Sequence, residues 1–122
     1  MTEIFFFDSY AIIEVMNGNP NYNNYLNCGI LLTKLNIFEV YYSLLRKSMK
    51  KEAEIFIGLY SQFVVDFDEE TIKNAAMFRL QNKAMNLSMA DCIGYILSKN
   101  LGIKFLTGDK EFSNLPNVEF VK

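Results

Sequence analysis

The sequence contains no histidine. That absence removes Ser-His and Cys-His nucleophilic machinery, HExxH metalloprotease chemistry and imidazole acid–base work. Any catalysis must rest on carboxylates, lysines, hydroxyls or a bound metal. Cysteine is nearly as scarce. Cys28 and Cys92 stand far apart with no CxxC spacing, so they read as free buried thiols rather than a disulfide or a zinc site. No apolar run approaches the roughly 20 residues of a membrane span. No basic segment precedes the first apolar run, so no signal peptide is expected and the cytoplasm is the expected compartment. Neither sign of charge dominates. The net charge of -2 argues weakly against a nucleic-acid partner, and the balance turns positive once four acids are set aside as metal ligands.

What is present is a core. Of 122 residues, 51% are hydrophobic and 15% aromatic, enough for one folded domain over residues 1–122. Residues 3–7 hold Ile4-Phe5-Phe6-Phe7, an apolar run without alternation, as in a strand buried on both faces in mid-sheet. Asp8-Ser9 ends it, and a short helix is expected over 10–16. Asn17-Gly18-Asn19-Pro20 is a turn, followed by a helical turn over 22–26. A second strand is expected at 30–32, and a helix opening at Asn36 with Glu39 three residues on, a capping-box spacing. Then come a helix over 52–61, a third strand at 63–65 and a helix over 69–81. Ser88 and Asp91 repeat the capping-box spacing ahead of a helix that Gly102 ends in a left-handed turn. Strands at 103–106 and 118–121 complete the alternation. Strands alternating with helices predict a parallel α/β sheet with helices on both faces and right-handed crossovers.

Four acids fall at corresponding places. Asp8 and Asp109 follow the first and fourth strands, while Glu39 and Asp91 stand in the first turns of predicted helices. In open α/β sheets the ligand lies outside the carboxyl ends of the strands, and all four acids are expected at that edge. Carboxylates gathered there repel one another unless a cation sits among them. Oxygen-only ligation without His or Cys suits Mg²⁺ or Mn²⁺. Each acid taken singly has a plainer reading: Glu39 and Asp91 as capping acids, Asp8 and Asp109 as loop residues. The shared edge is what points to a metal or phosphate site.

Those acids sit in recognisable contexts. Phe5-Phe6-Phe7-Asp8-Ser9 resembles the opening strand-Asp-Thr/Ser of the PIN domain family, and residues 35–42 resemble its helix carrying a single Glu. Leu87-Ser88-Met89-Ala90-Asp91-Cys92-Ile93 is similar to its Ser-x-x-Asp-Ala motif, with Cys92 where small Ala is usual. Residues 105–112 resemble its terminal Thr-x-Asp-x-Asp-Phe, with Glu111 replacing a frequent Asp. The motifs run in order over nearly the whole chain. The resemblance implies a three-layer α/β/α sandwich with sheet order 3-2-1-4-5. It also implies Mg²⁺- or Mn²⁺-dependent cleavage of single-stranded or looped RNA, most small members being VapC-type toxins neutralised by an antitoxin. By the match, Asp8, Glu39, Asp91 and Asp109 would be the metal-binding and catalytic acids, with Ser9 and Thr107 as supporting hydroxyls.

Arginine is limited to Arg46 and Arg79, so phosphate contacts would fall to lysines such as Lys34, Lys47, Lys50, Lys83 and Lys110. Two other readings stand beside this one. A receiver-type phosphoacceptor shares the layers, but wants an acidic pair after the first strand and a Lys after the last. A PIN-like module that binds RNA or protein without cutting would have no need of a repelling acid cluster. Finally, Ile55, Phe56, Ile57, Leu59, Tyr60 and Phe63 form an apolar arc too wide for one buried helix face. It reads either as packing within the domain or as a groove for an antitoxin helix or a second protomer, and a homodimer is expected.

Overall fold

The computed structural model describes residues 2–122. Its elements are β1 (Ile4–Phe7), α1 (Ser9–Met16), a 3₁₀ turn (Pro20–Tyr25), β2 (Gly29–Leu31), α2 (Lys34–Arg46) and α3 (Lys50–Tyr60). There follow a 3₁₀ turn (Ser61–Phe63), α4 (Glu69–Gln81), α5 (Met89–Leu101), β3 (Lys104–Thr107), a 3₁₀ turn (Lys110–Phe112) and β4 (Val118–Phe120). The sheet has four strands in the order β2-β1-β3-β4, and each neighbouring pair is parallel. The strand expected to be central is central, in register with β3 through Phe6 opposite Phe105.

One expected strand is reduced. Residues 63–65 form a single parallel bridge between Leu32 and Val64 instead of a strand. Two backbone bonds hold it, Leu32 N–H to the Phe63 carbonyl (3.2 Å) and Val65 N–H to the Leu32 carbonyl (2.9 Å). Phe63 is taken up by the preceding 3₁₀ turn, so the segment reaches the sheet already curling and leaves at once. Its place beside β2 keeps the expected order, with the third position held by a bridge.

The unbroken Phe run explains the layering, because alternate strand side chains leave opposite faces. Phe5 and Phe7 join Ile12, Tyr22, Val40, Leu44 and Phe56 in the core under α1, α2 and α3. Phe6 joins Ala75, Ile93, Tyr95, Leu97, Phe105 and Phe112 under α4 and α5. Gly94 lets α5 lie close on the sheet: a Cβ there would stand 2.6 Å from the Phe6 ring. Gly102 ends α5 at φ 71°, a left-handed position where glycine carries no Cβ penalty. Cys28 and Cys92 are both free. No helix among the described residues is long and apolar enough to cross a membrane.

The apolar arc divides. Ala53 and Phe56 are buried and Ile57 and Tyr60 half-buried, while Ile55 and Leu59 are exposed. The open groove lies beside it, between α2 and α3, as a space of about 770 Å³ lined by Ile37, Phe38, Tyr41, Tyr42, Leu45 and Ile57. A second apolar cavity, about 570 Å³, lies between α4 and α5 against Leu35, Phe67, Leu80, Met89 and Ile93.

Candidate metal centre

Asp8 leaves β1 at its carboxyl end, and its backbone N–H bonds the Leu106 carbonyl of β3 (3.2 Å). It is 2% exposed. Oδ1 accepts from the Ala11 N–H at 2.8 Å, so Asp8 is also the N-cap of α1. Oδ2 accepts from the Thr107 hydroxyl at 2.5 Å, across the β1–β3 junction. Thr107 Oγ1 in turn accepts from the Asp109 N–H (3.0 Å), and Asp109 Oδ1 accepts from the Glu111 N–H (3.0 Å). Glu111 itself is exposed and serves as a backbone donor.

Asp91 and Ser88 form the expected capping box. Asp91 Oδ2 accepts from the Ser88 N–H (2.9 Å) and Ser88 Oγ accepts from the Asp91 N–H (3.1 Å). The box expected at Asn36 and Glu39 is displaced by one turn. Thr33 is the N-cap of α2 and Asn36 its third residue, with Asn36 Oδ1 accepting from the Thr33 N–H and hydroxyl, both at 3.0 Å. Glu39 is thus free of capping. It stands in the second turn and accepts from the Ser9 hydroxyl at Oε1, 2.6 Å. Ser9 Oγ accepts from Asn36 Nδ2 at 3.1 Å. Asn36, expected to open the helix, is instead inside its first turn, 1% exposed and bonded to Ser9. Its signal was present in Thr33-x-x-Asn36, which overlaps Asn36-x-x-Glu39.

Electrostatics tie these groups together. Burial pushes the Asp8 carboxyl up to about 8, against the opposing hydrogen bonds from Thr107 and Ala11, and the charges of Asp91 and Asp109 raise it further. Asp91 is also raised, first by burial, then by Glu39 and Asp109, while its bonds to Ser88 work the other way. The four acids therefore lie within reach of one another's fields. They do not touch: no three His, Cys, Asp or Glu side chains among the described residues stand close enough to hold an ion between them. No Lys or Arg forms an ion pair with any of them, the ion pair found among the described residues joining Lys104 to Glu119. An all-oxygen donor set short of positive charge fits a hard dication that keeps part of its water shell. Of the lysines, Lys34 opens α2 and Lys110 follows Asp109 at this edge. Lys47 caps the far end of α2, roughly 20 Å away at 1.5 Å per residue.

A family model for the PIN domain matches residues 5–118. The chain belongs to the PIN domain family. A receiver-type reading is thereby set aside. No curated protein sequence matches this PIN domain. Among solved structures it is similar to a toxin–antitoxin complex from Klebsiella pneumoniae, with TM-score 0.73 and 16% identity, covering 94% of this chain and 95% of that one. It is equally similar to DNA-bound VapBC from Salmonella typhimurium (0.73, 16%, 98% and 97%). VapBC2 from Rickettsia felis, bound to a promoter DNA fragment, is a third (0.73, 15%, 98% and 99%). At such identities the likeness is one of fold.

Proposed function

We propose that this PIN domain is a metal-dependent endoribonuclease cutting single-stranded or looped RNA, and that it is the toxin of a toxin–antitoxin pair. Asp8, Glu39, Asp91 and Asp109 are its metal-binding and catalytic acids, with Ser9 and Thr107 supporting them. The observation that carries the reading is the set of four acids at one sheet edge, none of them in an ion pair among the described residues, with Asp8 buried among them. Mg²⁺ or Mn²⁺ bound there supplies polarisation of the phosphate and a lowered pKa for an attacking water.

The chain's own groups do the rest. Thr107 and the Ala11 N–H fix both oxygens of Asp8. Near neutral pH and without a cation, that carboxyl holds a proton, and opposite charge beside it drives the proton off. Ser9 turns Glu39 by one oxygen. Ser88 holds one oxygen of Asp91. Lys34 and Lys110, which follow β2 and β3, are the proposed phosphate contacts.

The partner half of the reading is supported by the two apolar grooves and by the complexes in which its structural relatives are found. An antitoxin segment and a second copy of the chain are the proposed occupants. Light scattering of the chain alone and after co-expression with a neighbouring small gene tests both. A stable monomer at high concentration that captures nothing removes this half.

For the catalytic half, single-stranded RNA is incubated with wild type and with Asp8→Asn, with Mn²⁺, with Mg²⁺ and with chelator. Melting is followed in parallel. Cleavage that needs metal and Asp8, together with a metal-dependent rise in Tm, is expected. Mass action gives about 2.7 kcal/mol at one hundred times the dissociation constant. A Tm unmoved by either metal and intact RNA would mean a module that binds without cutting.

A further inference from the structure

The hydrogen bonds around Asn36 have a fixed direction. A backbone N–H only donates, so the Asn36 atom that meets the Thr33 N–H at 3.0 Å is its carbonyl oxygen. The Thr33 hydroxyl lies on the same oxygen. The amide nitrogen therefore faces Ser9 Oγ, 3.1 Å away, and donates to it. Ser9 has one proton, and with its oxygen already accepting, that proton goes to Glu39 Oε1 at 2.6 Å. The order runs Thr33, Asn36, Ser9, Glu39, and every step donates toward the carboxylate.

We propose that Asn36 is a positioning residue. By orienting the Ser9 hydroxyl it holds Glu39 as a hydrogen-bond acceptor with its second oxygen left for the metal site. Asn36 touches neither substrate nor metal, and its effect on the reaction passes through Ser9. Its burial supports this, since a side chain 1% exposed between two helices has no room to turn its amide over. Partners one step behind a ligand typically govern affinity or activity by about 10- to 100-fold. The inference rests on the reading of Glu39 as a site acid.

Asn36→Asp tests it with little change of shape. The new carboxylate still accepts from Thr33, so the start of α2 is kept. It presents an acceptor to Ser9 where the amide presented a donor, and the Ser9 proton turns toward it. Glu39 then loses its only described hydrogen bond. Cleavage of single-stranded RNA should fall about 10- to 100-fold in kcat with KM little changed. Calorimetry of the variant should show weaker Mn²⁺ binding despite the added negative charge. The decisive measurement is the same substitution in a Ser9→Ala background. Acting through Ser9, Asn36→Asp should add little further loss there. An equal loss in both backgrounds would mean a local charge or folding effect and overturn the proposal. A crystal structure of Asn36→Asp in which Ser9 still bonds Glu39, with Mn²⁺ affinity unchanged, would also overturn it. If wild type cuts no RNA, the functional reading fails separately, and the crystal structure and Mn²⁺ binding still judge the direction of the bonds.

Discussion

Asp8 and Glu39 reach the same edge of the sheet and are held there in opposite ways. Asp8 is buried at the junction of β1 and β3, with a donor on each oxygen. Glu39 stands half-exposed on α2 with one donor on one oxygen. At Asp8 the surroundings decide the charge state: desolvation raises the carboxyl to about 8 although two hydrogen bonds oppose it. At Glu39 the surroundings decide direction, through a hydroxyl whose own orientation is set elsewhere. The same edge thus holds an acid tuned by burial and an acid aimed by a hydroxyl.

The largest effect expected on stability is at Asp8. Its pKa is about 8 in the folded chain against an ordinary 3.8, so the unfolded chain gives up this proton first. Between about pH 4 and 8 the folded state binds more protons, and the stability of the metal-free protein should fall as pH rises, the loss being complete above about pH 8. Asp8→Asn should abolish cleavage and flatten that dependence. Urea melts at pH 5 and pH 8 without metal check it: the variant should gain on wild type at pH 8 and match it more closely at pH 5. No gain at pH 8 would mean that Asp8 is not held against its charge.

Thr107→Val comes next. It strips a donor from buried Asp8 and should destabilise by about 1–3 kcal/mol at pH 8, less at pH 5 where the carboxyl is neutral. A loss equal at both pH values would assign Thr107 to packing.

Ser9→Ala should be milder, about 1 kcal/mol in the same melts, with cleavage reduced roughly 10-fold or more. A large stability loss would erase the contrast between the two acids.

The smallest change is expected for Asp91→Asn. An amide oxygen still accepts from the Ser88 N–H, so metal-free stability should move by about 0.5 kcal/mol or less. The Mn²⁺-induced rise in Tm and RNA cleavage should both drop. Lower stability with full cleavage would leave Asp91 a helix cap alone.

What was legible in the sequence was local or periodic. Ser88 with Asp91, and Gly102 after Leu101, are decided within one turn of chain, and the alternation of strands with helices carried the parallel sheet. The start of α2 was not decided locally. Thr33-x-x-Asn36 and Asn36-x-x-Glu39 are both capping-box spacings, and the first prevails because it buries Asn36 against Ser9, 27 residues away in sequence. Residues 63–65 have the composition of a strand but a neighbour on one side only, and the turn before them takes Phe63. Asp8 reads in the sequence as the end of a strand, and its second role as N-cap of α1 depends on that helix beginning at Ser9 rather than Tyr10.

Asp8, Asp91 and Asp109 each accept a backbone N–H where a helix or a 3₁₀ turn begins. That double duty bears on how such chains change over time. On the proposed function, a descendant without catalysis would still be under pressure to keep an oxygen at those three positions, because the starts of its helices depend on it. Asparagine would serve at each of them, as would aspartate. Glu39 caps nothing, and its loss leaves no helix start unsatisfied. In a lineage drifting away from catalysis it is therefore the first of the four acids expected to disappear, and the most informative one to look for.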